Sequence, residues 1–285
     1  MNPFRKLAAP GCAALLGLAM PVAAQETPAQ PLQAELVAQH AALQPGQQAR
    51  LGLRLRHAPH WHSYWINPGD SGLPTRLAWK LPEGWRAGEI DWPLPRRFAV
   101  GSLQNFGYEG ELVLPLLLSV PAEARPGSTV QLAVTVKWLA CREACIPGRS
   151  ELTLELPVAA QAGAADPRWA GLFAEALRAQ PSPAPWRGSA ELVGDRVRMR
   201  VSGADLPALQ GLDAHAVQRK LLDNQPPSFR RDGADLVIET NRSEYFTKAP
   251  ERLDLVLTAP DAGGRRGWKL TLPLHDPAAA GQANP

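Results

Sequence analysis

The chain has 285 residues, with 30 Lys or Arg against 27 Asp or Glu, so its charges nearly balance. Without a strong basic excess it lacks the electrostatic footprint of a protein that binds nucleic acid or anionic membranes. Three cysteines are too few for a disulfide-dense scaffold, whereas 29 prolines and 24 glycines favour many short strands and turns.

The first 24 residues have the pattern of a secretory signal peptide. A short basic region precedes an apolar run over 7–22, and Val22-Ala23-Ala24 fits the small-residue cleavage pattern. Cys12 lies inside the apolar run, so the mature chain would keep two cysteines. No later apolar run approaches the roughly 20 residues of a membrane helix, and we therefore expect a soluble, exported, periplasmic protein. Export would place the chain where disulfides form and persist.

Alternating apolar and polar residues predict strands in the first half of the mature chain. The alternation covers 49–56, 130–138 and 152–158, while the continuous apolar run 112–120 predicts a strand buried on both faces. Turn signals that contain Pro and Gly separate these segments. Several short strands at this spacing predict an antiparallel, immunoglobulin-like β-sandwich over 25–160.

One amphipathic helix is predicted next. Asp166 is a favourable N-cap and Pro167 suits the first helical position, and apolar residues then recur on one face until the chain nears Pro181. The sequence PSPAP over 181–185 predicts a stiff linker without regular structure. We therefore assign 161–187 to a helix and a Pro-rich linker.

Strand patterns return in the second half. Alternation over 196–201, a hairpin signal at Asp232-Gly233 and apolar alternation over 253–257 predict a second, smaller β-sandwich within 188–274. Residues 275–285 are predicted to be a disordered tail. The predicted fold is all-β, with two immunoglobulin-like β-sandwich domains joined by a short helix and a Pro-rich linker.

The two mature cysteines, Cys141 and Cys145, lie four residues apart between two predicted strands. The mouth of a hairpin can bring their Cα atoms within the ~4.4–6.8 Å that a disulfide requires. A ring of about five residues would add only about 2 kcal/mol of stability, which favours an exchangeable redox pair over a structural staple. The spacing alone leaves a local structural disulfide open as an alternative.

Four segments upstream of the cysteines, followed by the cysteine segment itself, occur in the same order as the motifs of a known protein family. They are 61–75 (WHSYWINPGDSGLPT), 81–84 (LPEG), 92–98 (WPLPRRF) and 106–111 (FGYEGE). This set resembles the N-terminal periplasmic domain of the DsbD/ScsB family of thiol:disulfide interchange proteins. The resemblance covers 32–158 well, and 188–274 is more loosely similar to a second immunoglobulin-like part found in the ScsB branch.

The resemblance implies an immunoglobulin-like domain in which Cys141 and Cys145 exchange electrons with other proteins, without a cofactor, as a component of a protein-disulfide reductase system. It also implies a mobile cap loop, here within 98–108, that carries an aromatic residue and shields the pair. Three aromatic residues are candidates for this shield: Phe98 as the best match, with Phe106 and Tyr108 nearby.

Polar residues of the same motifs are candidates for contacts with a partner or with the cysteines: His62, Tyr64, Asn105 and Glu143. The implied partners are periplasmic thioredoxin-like proteins or disulfide isomerases. Because the chain shows no membrane segment and no C-terminal thioredoxin module, its electrons would come from a separate membrane protein. Three residues between the cysteines are fewer than is typical of DsbD, although the ScsB-like branch has shorter spacing.

Two other functions stay open at this point. His60 and His62 could join Cys141 and Cys145 in a copper or zinc site, since imidazole and thiolate suit both ions, although the spacing fits no closed zinc pattern. An immunoglobulin-like sandwich can also be a non-catalytic protein-binding module whose disulfide is structural.

Overall fold

The computed structural model describes residues 30–277, and the signal peptide predicted at 1–24 lies outside them. The strands of the first half are β1 (Leu32–Ala38), β2 (Gln48–His57), β3 (His62–Gly69), β4 (Arg76–Lys80), β5 (Arg86–Ala87), β6 (Arg96–Val100), β7 (Leu103–Glu109), β8 (Glu111–Ser119), β9 (Thr129–Cys141) and β10 (Cys145–Pro157). They are followed by the helix α1 (Ala170–Arg178), β11 (Ser182–Pro183), β12 (Arg187–Val193), β13 (Arg196–Ser202), β14 (Asp213–Ala216), β15 (Ser228–Asp232), β16 (Asp235–Asn241), β17 (Arg252–Asp261) and β18 (Gly264–His275).

Two sheets form the first β-sandwich. One has the order β1-β2-β8-β5, and the other has the order β10-β9-β3-β7-β6, with β4 also paired to β9. Alternation in β9 directs one set of side chains into the core: Val130, Leu132, Val134, Val136 and Trp138. These strands and their inward-facing residues agree with the alternation of the sequence, and the all-β prediction is confirmed.

Strand β8 is buried on both faces, as its continuous apolar run predicted. Leu114 and Leu116 belong to the core of the first sandwich, whereas Val113 on the opposite face packs with Phe173 of α1. A Cβ atom on Gly52 of the neighbouring strand would lie 2.3 Å from Val113 and 3.1 Å from Phe173, so only glycine lets the helix approach this closely. The helix thus covers the outer face of the β1-β2-β8-β5 sheet.

The helix begins later than the sequence predicts. Asp166 and Pro167 belong to a preceding turn, in which the Asp166 carbonyl accepts hydrogen bonds from the backbone N–H groups of Trp169 and Ala170. The Asp166 carboxylate accepts from the backbone and side chain of Arg168, so it caps this turn and not the α-helix itself. The Pro-rich segment also differs from the prediction, because Ser182–Pro183 pairs in parallel with β18 and gains a regular partner.

The second half forms one connected set of strands in the order β14-β17-β18-β12-β13-β16-β15. Strand β18 pairs along most of its length with β17 and at its end with β12, so it joins two halves whose apolar residues meet in a separate core. His275, predicted to begin a disordered tail, is the last residue of β18 and pairs with Glu191. The hairpin predicted at Asp232-Gly233 joins β15 and β16.

The second sandwich lies against strands β3, β6 and β7 of the first. The side-chain amide of Asn67 donates a 2.8 Å hydrogen bond to the carbonyl of Ala216, and both groups are buried. None of the helices among residues 30–277 is long and apolar enough to cross a membrane. The boundaries at 160 and 188 remain predictions.

Candidate redox site

Cys141 and Cys145 form a disulfide at the turn end of the β9–β10 hairpin. Their Cα atoms are paired across the strands at 4.1 Å, and the sulfur atoms are 2.04 Å apart. The hairpin predicted from the strand patterns therefore brings the cysteines together. Their exposures differ sharply, because Cys141 is only 3% exposed whereas Cys145 belongs to the exposed turn side of the hairpin.

The strand register brings most of the predicted site residues to one sheet face. Residues paired across antiparallel strands project to the same side, as do residues two apart along one strand. Four pairs define the face: Cys145 with Cys141, Cys141 with His62, Tyr64 with Gly107, and Asn105 with Phe98. Side chains from β3, β6, β7, β9 and β10 thus converge on the disulfide side of this sheet.

Tyr64 supplies the polar contact to the disulfide. Its hydroxyl lies 3.8 Å from Sγ of Cys145, and because a disulfide sulfur carries no proton, the hydroxyl is the donor. The side chain is almost completely buried, and burial raises the pKa of the Tyr64 hydroxyl above its ordinary value. The phenol therefore keeps its proton at neutral pH and remains available to donate to sulfur.

A tight turn after β3 holds Tyr64 in place. Gly72 has φ of +93°, and a Cβ atom there would lie 2.3 Å from the Tyr64 ring, so a glycine is needed for the turn to pack on the ring. The buried carboxamide oxygen of Asn105 accepts hydrogen bonds from the backbone N–H and the hydroxyl of Ser71, at 3.1 and 3.0 Å. Asn105 thereby anchors the turn that covers Tyr64.

His62 and Phe98 form the other side of the site. Their rings stack at 4.9 Å with an angle of 11° between the planes, and His62 is the cross-strand neighbour of Cys141. Burial lowers the pKa of His62, against a smaller opposing effect of Glu109. Its Nε2 atom is buried without a hydrogen-bond partner among residues 30–277. A neutral imidazole covered by a phenyl ring thus lies beside the buried cysteine.

The other predicted site residues lie elsewhere. Phe106 and Tyr108 project from the opposite face of β7 into the core of the first sandwich, as alternation along the strand requires. The Tyr108 hydroxyl donates to the carbonyl of Pro93 at 2.8 Å, and the Phe106 ring packs edge-on against His215. Glu143 is exposed in the turn between the cysteines.

The alternative metal site lacks a ligand cluster in this oxidised form. Among residues 30–277, no group of three or more His, Cys, Asp or Glu side chains is arranged to hold a metal ion. His62 is buried beneath Phe98, and His60 lies in a turn with φ of +66°. Both sulfur atoms are engaged in the disulfide.

Comparison with protein families agrees with this geometry. Residues 29–157 match the family described as thiol:disulfide interchange protein DsbD, N-terminal. Residues 29–157 thus form a part of the chain that is similar to the DsbD N-terminal domain. The match spans the first sandwich and the cysteine hairpin, and it confirms the resemblance inferred from the sequence motifs. No curated protein matches the chain in sequence.

One solved structure is similar in fold over both sandwiches. The N-terminal periplasmic domain of ScsB from Proteus mirabilis is similar with a TM-score of 0.65 and 18% identity, over 90% of this chain and 96% of that one. At this identity the likeness establishes the fold, including both sandwiches. The major pilin subunit of Bacillus cereus aligns with 8% identity over 86% of this chain and 68% of that one, but its TM-score of 0.27 carries no argument.

The sequence did not indicate how the first sandwich positions Tyr64. Ser71 and Gly72 lie in a segment whose Pro and Gly content predicted a turn, but turn composition does not show which side chain the turn covers. Arg97 was also missed as a functional residue. It lies beside Phe98 in β6, and its hydrogen-bond partners belong to the second sandwich, more than a hundred residues away in sequence.

Proposed function

We propose that the chain performs thiol–disulfide exchange in the periplasm through Cys141 and Cys145, as a component of a protein-disulfide reductase system. The observation that carries the proposal is the unequal exposure of the two sulfur-bearing residues, of which Cys145 is accessible and Cys141 is 3% exposed. A sulfur must be accessible to meet a partner's disulfide. Cys145 is therefore assigned to the mixed disulfide with the partner, and Cys141 to its resolution.

The exchange balances over two displacement steps. In the reduced protein, the thiolate of Cys145 attacks one sulfur of the partner's disulfide, the partner's S–S bond breaks, and its second sulfur leaves as a thiolate. The thiolate of Cys141 then attacks Sγ of Cys145, expels the partner's first sulfur and closes the disulfide. The pair loses two electrons and the partner gains them. A separate membrane electron donor would return the pair to the dithiol by the reverse steps.

Tyr64 supports the first step. Its hydroxyl is held 3.8 Å from Sγ of Cys145, and a donor at this position favours the thiolate over the neutral thiol. Because the turn at Gly72 fixes the ring, the donor is in place before the partner arrives. The hydroxyl also favours departure of Cys145 as a thiolate when the membrane donor attacks the disulfide.

Exposed apolar side chains of the first sandwich support docking of a partner protein. Leu73 is 57% exposed beside the turn that covers Tyr64, and Ile146 is 43% exposed next to Cys145. Leu103 is 42% exposed at the tip of the β6–β7 hairpin. Exposed apolar side chains around a reactive group are typical of a protein–protein contact, which fits thioredoxin-like proteins or disulfide isomerases as partners.

Trapping of mixed disulfides tests the proposal. We expect Cys141→Ser to accumulate a covalent complex with a thioredoxin-like protein through Cys145, because the resolving thiol is missing. Cys145→Ser should form little of this complex, since its remaining thiol is buried. The double Cys→Ser variant is the matched control, and a thiol reductant should release the trapped partner.

The reduction potential of the pair is the measurement that could contradict the proposed exchange. A potential well below about −300 mV, with nothing trapped by either single variant, would identify a structural disulfide. Trapping by Cys145→Ser in preference to Cys141→Ser would reverse the roles assigned to the two sulfurs. Signal-dependent recovery of the protein from the periplasmic fraction tests the proposed location.

A further inference from the structure

The hairpin formed by β6 and β7 is bound to the second sandwich through Arg97. The Arg97 guanidinium donates from Nε to Oδ2 of Asp213 at 2.9 Å and from Nη2 to Oδ1 at 2.5 Å. Its Nη1 donates to the carbonyl of Asn224. The side chains of Arg97 and Asp213 are only 14% and 21% exposed, so this two-pronged ion pair is largely shielded from water. The guanidinium also lies 4.9 Å from the centroid of the Phe106 ring.

Arg97 and Phe98 point to opposite faces of the same strand. Consecutive residues of a β-strand alternate in direction, and the register pairs Arg97 with Phe106 but Phe98 with Asn105. One face of β6 therefore contacts the second sandwich, while the other places Phe98 on His62 beside Cys141. Because the two residues share one peptide unit, a restraint on Arg97 also restrains Phe98.

The second sandwich contacts this hairpin at its base and tip as well. Arg265 donates from Nη1 to the carbonyl of Pro95 at 2.5 Å, just before β6 begins. Gln225 donates to the carbonyl of Ser102 at 3.2 Å, in the turn between β6 and β7. The hairpin is thus held at three points along its length, and at Arg97 the contact is an ion pair.

A neighbouring contact ties the turn over Tyr64 to the same surface. Asn224 donates its side-chain N–H to Oδ1 of Asp70 at 2.8 Å, and Oδ2 of Asp70 accepts from the backbone N–H of Gln104 at 2.6 Å. One segment of the second sandwich therefore contacts both structural elements that cover the cysteine site.

We propose that Arg97 is a positioning residue, through which Asp213 of the second sandwich holds Phe98 over His62 and so keeps Cys141 shielded. Release of the ion pair would free the β6–β7 hairpin to move and expose Cys141, as opening of a lid does. This inference rests on the proposed function in that it treats Cys141 as the resolving sulfur, which is kept from outside reagents while Cys145 meets the partner. It assigns the second sandwich a role in controlling the reaction.

The test measures sulfur reactivity with small molecules, without a partner protein. We expect Asp213→Asn to raise the rate at which dithiothreitol reduces the disulfide by about tenfold, because the hairpin then opens more often. The reduced protein should react faster with iodoacetamide at Cys141, which is buried in the closed arrangement. Arg97→Lys, which keeps the charge but loses the two-pronged geometry, should give a smaller increase. Asp232→Asn is the matched control, since it breaks an exposed Arg–Asp pair on β15, at the other end of the second set of strands.

A double-mutant cycle shows whether the ion pair acts through Phe98. Phe98→Ala alone should raise the reduction rate, and adding Asp213→Asn to Phe98→Ala should then change it little. Circular dichroism establishes whether each variant is folded. If Asp213→Asn does not fold, the reduction rate of Arg97→Lys is measured in its place. A folded Asp213→Asn that reacts at the rate of Asp232→Asn would overturn the inference. The inference would also be overturned if Asp213→Asn increased the reduction rate equally in the presence of Phe98 and in the Phe98→Ala background.

The outcomes separate this inference from the proposed function. Faster reduction of Asp213→Asn by dithiothreitol supports the inference even where no partner is trapped by Cys141→Ser, a result that counts against the proposed function alone. Efficient trapping together with unchanged small-molecule reactivity in folded Asp213→Asn would refute the inference and leave the proposed function standing.

Discussion

His215 should make the protein less stable in acid. It is completely buried between the sandwiches, with ring centroids 4.7 Å from Phe106 and 6.2 Å from Trp65. Burial lowers the pKa of His215 from 6.5 to about 4, and nearby Arg97 and Arg265 act in the same direction, while Asp213 opposes them. The imidazole is therefore neutral at neutral pH, and its 3.3 Å approach to Asp213 is not an ion pair under those conditions.

The sign and size of the effect follow from proton linkage. Between about pH 6.5 and pH 4 the unfolded chain binds a proton at residue 215 and the folded chain does not, so stability falls as pH falls through this window. Lowering the pKa of His215 from 6.5 to about 4 corresponds to about 3 kcal/mol of folding stability, all of it lost below the folded-state pKa. Burial raises the pKa of Asp213, but the hydrogen bonds from Arg97, the charge of Arg97 and the backbone hydrogen bond from Ala214 outweigh it, so the net pKa is lowered and Asp213 stays ionised across this window.

Urea unfolding of the oxidised protein at several pH values between about 7 and 4 measures the effect. Wild type should lose stability steeply, because His57 and His62 also have pKa values lowered chiefly by burial and add to the loss. His215→Gln should remove about 3 kcal/mol of the pH dependence, whatever its stability at neutral pH. His275→Gln, at the exposed end of β18, is the control for loss of a histidine.

Equal pH dependence of the unfolding free energy in wild type and His215→Gln would refute this reasoning. It would mean that the imidazole can be protonated within the folded protein at the same pH as in the unfolded chain. Burial between the sandwiches would then cost the charged ring nothing.

Three further substitutions test local packing and chemistry. Tyr64→Phe should slow alkylation of reduced Cys145 at neutral pH by up to about tenfold, because the thiolate loses a donor at 3.8 Å, and an unchanged rate would show that the hydroxyl does not act on the sulfur. Gly72→Ala should cost about 2 kcal/mol or more in urea unfolding, since φ is +93° and the added carbon meets the Tyr64 ring. Phe173→Ala should cost about 3–5 kcal/mol, because the ring is fully buried between α1 and the sheet; a loss below about 1 kcal/mol would contradict that packing.

Strands were the most predictable elements, because burial on one face imposes a period of two on the sequence. The alternation from Val130 to Trp138 corresponds to β9, and the hairpin after it follows from two such strands separated by a short turn. The start of α1 was less predictable. Asp166 has the side chain of an N-cap, but Arg168 offers its carboxylate a closer partner in the preceding turn.

The spacing of Cys141 and Cys145 predicted where the cysteine pair lies, but not which side chains of the surrounding strands point toward it. Phe98 and Phe106 both lie in the segment expected to form the cap, and their side chains are identical in chemistry. Only the pairing of β6 with β7 shows that Phe98 projects toward His62 while Phe106 projects into the core. Face assignment requires the register, which depends on contacts distant in sequence.

The contact between Arg97 and Asp213 lay further beyond sequence reasoning. Each residue belongs to a short strand that looks ordinary by itself, and the two are 116 positions apart. Periodicity indicates which side of a strand is apolar, but not which neighbour the other side meets. The way two sandwiches dock is decided by complementary surfaces and not by the pattern within either one.

The hairpin that carries the cysteines does not depend on their disulfide. Strands β9 and β10 pair continuously from Cys141–Cys145 to Thr129–Pro157, and β9 also pairs with β3 and β4. Each fully buried aliphatic side chain of β9, such as Leu132 or Val136, contributes roughly 1.5–3 kcal/mol, as much as the ~2 kcal/mol of so short a ring. Reduction should therefore open the ring and leave the strands paired. A pair that can be opened and closed without unfolding its support is suited to repeated exchange, whereas a staple at this position would hold together strands that are already joined.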